Sequence, residues 1–138
     1  TFGRGRPLPL FRGSASKTML AYLPTGKLKK IYANHCKNDD LLTFADDWLS
    51  FKRYFDRIRE AGHYVSYHEV DKGVIGIAAP ICVPRVGVVA VISLVFSEER
   101  KELIDTEGLA SIVKLRAGEV AQQLNALAIS TDKVMIKS

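Results

Sequence analysis

Between residues 45 and 61, apolar side chains recur every three or four positions, and Trp48, Phe51, Phe55 and Ile58 line one face of an amphipathic helix, Ala45 to Ala61. Asp46 and Asp47 are expected in its first turn, where the helix dipole favours acids, and Gly62 supplies a left-handed stop. An aromatic stripe at this spacing is read as core rather than as a ligand box. Upstream, Ser14 to Leu23 reads as a short helix with a small polar start, apolar Met19, Leu20 and Leu23, and Pro24 as terminator. Thr25 to about His35 reads as a second, lysine-rich helix, and Gly3 to Gly13 is a Pro/Gly/Arg-rich connection too irregular for helix. Tyr64 to Val70 is rich in β-branched and aromatic residues and predicts a strand. Two long apolar strands follow between Val74 and Phe96, turning at Pro84 to Gly87. A long helix begins at about Thr106, which can cap it, with Leu109, Ile112, Val113, Val120, Leu124 and Leu127 on one side, and residues 129–138 form a polar tail expected to be flexible.

Helices, then three strands at hairpin spacing, then a closing helix define an antiparallel α+β domain and not a doubly wound one. Three strands are few for 138 residues, and Thr1-Phe2-Gly3 resembles the end of a strand, so residues 1–138 read as a partial domain from a longer polypeptide. Val74 to Phe96 is long enough to cross a bilayer as a helix, but Pro80, Pro84, Arg85 and Gly87 interrupt it, and valine and isoleucine dominate. Two buried strands explain it better, and no membrane association is expected.

Composition changes this picture little. An apolar fraction of 47% with 25% charged residues is that of a globular protein able to bury one core. The net charge of +5 comes from scattered lysines and from Arg4, Arg6 and Arg12, with no dense basic stripe on any helix face, so it describes a solvated surface and not a nucleic-acid interface. Two cysteines, Cys36 and Cys82, make no disulfide framework and suit a reducing cytoplasm.

Strand parity offers the first candidate for chemistry. Gly76, Ala78, Pro80 and Cys82 share one face of the first long strand, and Ile75, Ile77, Ile81 and Val83 share the other. Small residues on a sheet accept a close-packed helix or leave room for a ligand, and parity alone favours the helix. On the second strand Ser93 is the only polar residue in its apolar run, more often a satisfied core hydroxyl than a ligand contact. The second candidate is the helix start Ser14-Ala15-Ser16-Lys17, where free amides and the dipole suit an anion, although most such starts are only caps. Lys17 either assists there or faces water. The glycines of a phosphate-binding P-loop are absent. His35, His63 and His68 lie in separate segments, His35 beside Cys36 gives only two metal ligands, and no acid–base pair converges. No catalytic residue, metal or cofactor is expected.

Three landmarks together resemble a known family. Gly5-Arg6-Pro7-Leu8-Pro9-Leu10 leads into Gly13-Ser14-Ala15-Ser16-Lys17 and Met19-Leu20-Ala21. Ile58-Arg59-Glu60-Ala61-Gly62-His63-Tyr64 leads through Glu69 to Gly73-Val74-Ile75-Gly76-Ile77-Ala78-Ala79-Pro80. Val89-Ala90-Val91-Ile92-Ser93-Leu94 then precedes the last amphipathic helix. In order and spacing these resemble the C-terminal effector-binding domain of IclR-type bacterial transcription regulators.

The resemblance implies a GAF-like or profilin-like fold, one curved antiparallel sheet flanked by helices. It implies an intact homodimer or homotetramer that meets operator DNA only through an N-terminal winged helix-turn-helix absent from this chain. It implies a pocket for a small organic acid effector, lined by Leu8, Ser14, Ala15, Ser16, Tyr67, Gly76, Ser93 and Val95. On that reading a carboxylate rests on the amides of Ser14 to Ser16, Ser93 bonds the far end, and Gly76 leaves room for the body. The sequence departs from the family pattern at Ser16, where a glycine usually precedes the lysine. It departs again at Val95, where a second serine is common, and at Tyr67, where an acid is frequent. These departures make the lining less polar and lean the effector toward a larger or aromatic acid. A GAF-like interaction module of another signalling protein is the alternative.

Overall fold

The structure, a computed structural model, describes residues 7–137, with side chains described as far as Leu127. The expected strand end at Thr1–Gly3, the side chains Arg4 and Arg6, and the side chains of the expected tail lie outside the described residues.

Helices α1 (Ser14–Ala21), α2 (Thr25–His35), a single turn α3 (Asp39–Leu42) and α4 (Trp48–Ala61) come first. Strands β1 (Tyr64–Tyr67), β2 (Val74–Val83) and β3 (Gly87–Ser97) follow, then a 3-10 turn (Glu98–Leu103) and α5 (Thr106–Lys137). The sheet is antiparallel in the order β1-β2-β3, as the hairpin spacings require. Ser66 pairs with Gly76 and Gly76 with Val95, while Ala78 pairs with Ser93.

The described part has two cores, one on each side of the bulky/small division of β2. Ile77, Ala79 and Ile81 pack against Ala110, Val113, Ala117 and Ala121 of α5. The small face carries α1 instead, and beyond α1 a second core joins Phe11, Leu20, Leu28, Leu41, Phe51, Phe55 and Ile58. The ring of Phe51 meets Phe55 at 4.9 Å and Tyr32 at 5.1 Å between centroids, so the stripe read from the sequence is core.

Several boundaries differ from expectation for local reasons. Helix α4 starts at Trp48 because Asp47 is its N-cap: the Asp47 carboxylate accepts from Ser50 N–H at 2.8 Å, and the Ser50 hydroxyl accepts from Asp47 N–H at 3.2 Å. Hydrogen bonding to the carboxyl by Ser50, its backbone N–H first and then its side chain, holds Asp47 below the usual carboxylate range. Gly62 ends α4 at φ 77°, as predicted. Helix α1 stops two residues early, at Ala21, with Tyr22 as its C-cap. Strand β1 ends at Tyr67 because His68 turns to φ 58°. In α5 the buried line is Ala110–Val113–Ala117–Ala121, and Ile112, Leu124 and Leu127, expected to face inward, are exposed. Small residues win the seam because the helix lies close on the bulky face of β2. Thr106 is the first residue of α5 and not its cap, since Leu109 N–H already donates to the Asp105 carbonyl at 2.9 Å. Helix α5 runs on to Lys137, through residues read as a tail.

Candidate functional site

Helix α1 reaches the sheet at its N-terminus because two glycines allow it. Gly13 holds φ 91°, and a Cβ there would lie 2.5 Å from Cγ2 of Val70. A Cβ at Gly76 would lie 2.7 Å from the Ser14 hydroxyl and 3.0 Å from the Ser66 hydroxyl. The helix start is thus seated on β2, with serine oxygens filling the place of a side chain. Gly76 makes room for these hydroxyls and also lines the cavity beside them.

Between this seat and the loop after β1 lies a cavity of about 70 Å³. Leu8, Arg12, Gly13, Ser14, Ala15 and Ser16 line it from one side, and Ser66, Val70, Asp71, Val74, Gly76, Ser93 and Val95 from the other. The amides of Ser14, Ala15 and Ser16 have no partner among the described residues, since the first intrahelical bond is Lys17 N–H to Gly13 C=O at 3.2 Å. Ser14 Oγ lies 3.4 Å from Ser93 Oγ. Ser66 is only 6% exposed, lines the cavity, and its hydroxyl has no hydrogen-bond partner among the described residues. Among the described residues the buried side-chain oxygen without a partner is Thr18 Oγ1, whereas Ser66 opens onto the cavity, where a polar ligand can bond its hydroxyl. Ser16 differs, since its hydroxyl donates to the Pro9 carbonyl at 2.8 Å.

Lys17 neither faces water nor reaches the cavity. It lies on the buried face of α1 with Ser14 and Ala21, 4% exposed. Its ammonium pairs with Glu69 at 2.5 Å and donates to Tyr54 Oη at 2.8 Å. The rings of Phe44, Tyr54 and Tyr64 stand 4.6–5.2 Å from it. The other Glu69 oxygen accepts from Tyr64 Oη at 2.6 Å, and Tyr54 Oη donates to Tyr64 Oη at 2.7 Å. Burial first, then its bonds to Glu69 and Tyr54, raise the Tyr64 hydroxyl far above the ordinary tyrosine value. Glu69 also takes Gly13 N–H at 3.2 Å, and Arg12 bonds the Glu69 carbonyl at 3.3 Å and Asp40 at 3.0 Å. The start of α1 is therefore tied to the loop that forms the opposite wall.

Of the residues picked out by sequence, Leu8, Ser14, Ala15, Ser16, Gly76, Ser93 and Val95 come together around the cavity. Tyr67 does not. It pairs with Ile75, on the α5 side of the sheet, and lies 46% exposed beneath the Lys101 ammonium. Its neighbour Ser66 takes the cavity position, because strand parity places only every second residue there. Sequence reasoning also passed over Arg12, Val70, Asp71 and Val74. Among the described residues no cluster of three or more His, Cys, Asp or Glu residues could hold a metal ion, and no helix is long and apolar enough to cross a membrane.

Sheet, seated helix and small cavity together are those of an α+β ligand-sensing domain. The chain belongs to the bacterial transcriptional regulator IclR C-terminal family, whose pattern it matches over residues 3–125. It is the effector-binding C-terminal domain of a regulator of that type, and the family and its structural neighbours are regulator domains, not enzymes. The C-terminal domain of a transcriptional regulator from Vibrio cholerae is 33% identical, with a TM-score of 0.65 over 85% of this chain and 67% of its own. The transcriptional regulator YaiJ is similar in fold at 21% identity and a TM-score of 0.73, over 88% of this chain and 68% of its own. So is a double mutant of the PobR inducer-binding domain from Acinetobacter, solved with 3-hydroxybenzoic acid, at 22% identity and a TM-score of 0.67 over 85% of this chain and 69% of its own. No curated protein matches the sequence.

Proposed function

We propose that the chain senses a small organic acid, and that occupancy of its cavity changes operator binding by an N-terminal winged helix-turn-helix in the intact, cytoplasmic, homo-oligomeric regulator. The observation that carries the ligand reading is that Ser66, whose hydroxyl has no partner among the described residues, and the free amides of Ser14 to Ser16 line one cavity. An N-terminal helical turn offers donors and a positive dipole end, which suit a carboxylate. Ser66, Ser14 and Ser93 supply hydroxyls for its second oxygen or for a neighbouring hydroxyl or keto group. Arg12 on the rim favours an anion over a cation, although its guanidinium already shares Asp40 and the Glu69 carbonyl. The aromatic acid bound by the PobR domain is precedent within this fold for an effector with a flat apolar body. A ligand that prefers one arrangement of the domain over another shifts the regulator between states by its differential affinity.

Thermal shift and calorimetry with benzoate, 3-hydroxybenzoate and pyruvate test the reading. A bound acid at one hundred times its Kd stabilises the chain by about 2.7 kcal/mol. Ser66→Val and Ser93→Val should each weaken binding about tenfold, the loss of one charge-assisted hydrogen bond. If no carboxylate stabilises the protein, or both variants bind as the parent does, the site is not a carboxylate site.

A further inference from the structure

Strand β1 ends where His68 turns to φ 58°, a left-handed backbone in which histidine, asparagine and aspartate are the better tolerated residues after glycine. The turn brings the ring back to the far end of the loop it opens. Nδ1 lies 3.0 Å from the Gly73 amide, and Nε2 lies 3.2 Å from a Glu98 oxygen on the 3-10 turn. A backbone N–H can only donate, so Nδ1 accepts and carries no proton. The proton of the neutral ring is therefore on Nε2, which donates it to the Glu98 carboxylate. Both nitrogens are satisfied while the imidazole is uncharged.

The loop so closed is the cavity wall. It carries Val70 and Asp71 in the lining, and Glu69 with its bonds to Gly13 and Lys17. Backbone bonds also hold it: His68 N–H donates to the Val74 carbonyl at 3.0 Å, Val74 N–H to Asp71 at 3.3 Å and Glu98 N–H to Gly73 at 2.8 Å. Among these bonds the ring alone changes charge between pH 5 and 8. The charged groups on the two segments that meet there are Glu69, Asp71 and Lys72 in the loop, and Glu98, Glu99, Arg100 and Lys101 on the turn, with Lys101 over the Tyr67 ring. A second proton sets N–H against N–H at Nδ1. At Nε2 the bond to Glu98 exists in either state and gains only a charge, a small gain because ring and carboxylate are 38% and 50% exposed. We propose that His68 is a pH-sensitive latch on the cavity wall: the neutral ring holds residues 68 and 73 together, and the cation lets go of Gly73. The proton binds the open loop more readily, so acid favours opening. Its consequence for the effector rests on the carboxylate site proposed above, which loses affinity as its wall loosens.

Ring nitrogen shifts and amide exchange of the whole chain, followed by NMR from about pH 8 to 5.5 without ligand, test the latch. At the upper end His68 should show the Nε2–H tautomer. As it charges, protection of the Gly73 amide, corrected for intrinsic exchange, should fall about fivefold to tenfold, the loss of one hydrogen bond. His68→Asn sets an acceptor oxygen where Nδ1 stood, suits the same backbone and cannot charge, so it should keep the protection throughout. Glu98→Gln removes the acid and not the acceptor, and should keep the pH dependence of the parent. An Nδ1–H tautomer, protection that holds or rises as His68 charges, a pH dependence that survives in His68→Asn, or one that vanishes in Glu98→Gln overturns the latch. 3-Hydroxybenzoate, a carboxylate across this range, should bind the parent about threefold to tenfold more weakly at the acid end, and His68→Asn equally at both ends. Equal binding by the parent at both ends overturns the coupling of latch to cavity. If the acid binds at neither, the carboxylate site fails, and the exchange measurements still decide the latch.

Discussion

Lys17→Met removes the cation of a pair in which the lysine side chain is 5% and the glutamate 19% exposed. Removing one partner of a buried pair costs about 3–5 kcal/mol, because the survivor keeps its desolvation penalty without its counter-charge. Glu69 retains Gly13 N–H and Tyr64 Oη as donors, which puts the cost at the low end, about 3 kcal/mol. Glu69→Gln keeps the shape and leaves the ammonium with Tyr54 Oη and three ring faces, each a partial substitute, so about 2–3 kcal/mol is expected. Lys17→Met combined with Glu69→Gln buries no charge at all. It should cost about 3 kcal/mol, well below the sum of about 5–6 kcal/mol for the two single changes. Urea unfolding followed by far-ultraviolet circular dichroism reads these values directly. With a slope of about 1.5–2 kcal/mol per molar urea, Lys17→Met lowers the midpoint by about 1.5–2 M. Single variants that each lose under about 1 kcal/mol, or a double variant that loses the full sum, refute the buried, coupled pair.

Gly76→Ala should destabilise the chain by about 1–3 kcal/mol and weaken acid binding together, since its Cβ meets two serine hydroxyls within 3.0 Å and α1 must lift from β2. Gly26→Ala, with nothing within 4 Å of its Cβ, is the control and should stabilise by about 0.5–1 kcal/mol; equal effects at the two positions would mean that the seat of α1 is not tight. Tyr64 is held protonated in the folded state, by burial first and then by Glu69 and Tyr54. Its folded pKa is raised above the unfolded value near 10, so its contribution is fully present below about pH 10 and is lost as pH rises beyond it. Tyrosinate absorbance should show Tyr64 silent until the chain unfolds, and Tyr64→Phe should flatten the alkaline loss of stability; an unchanged alkaline limb would place the titration elsewhere.

The parts of the fold legible in the sequence were those fixed by periodicity. The face of α4 follows from Trp48, Phe51, Phe55 and Ile58, and the division of β2 into bulky and small faces from its alternation. The cavity was legible as far as two local signals reached, the small residues that open α1 and the polar Ser93 in an apolar strand. Register was not legible. Pairing Ser66 with Gly76 turns Ser66 inward and Tyr67 out, and a one-residue slip would reverse both. Ser66 is the single small polar residue of β1, the one trace of its position that the sequence holds. Lys17 left a trace too. It stands three residues from Ser14 and four from Ala21, on the face that meets the sheet, but the groups that make burial tolerable there, Glu69, Tyr54 and Tyr64, come from other elements. The seam of α5 was misread because alanine at positions 110, 117 and 121 carries less hydrophobic weight than the exposed leucines beside it, although it permits the closer approach.

Glu69 draws these observations together. One carboxylate holds Lys17 of α1, the amide of Gly13 just before α1, and the hydroxyl of Tyr64 in β1, which in turn joins Tyr54 of α4. Floor and wall of the cavity are thus fastened to each other before any ligand arrives, and the free amides of Ser14 to Ser16 are aimed without further ordering. Such preorganisation leaves more of the interaction energy for affinity.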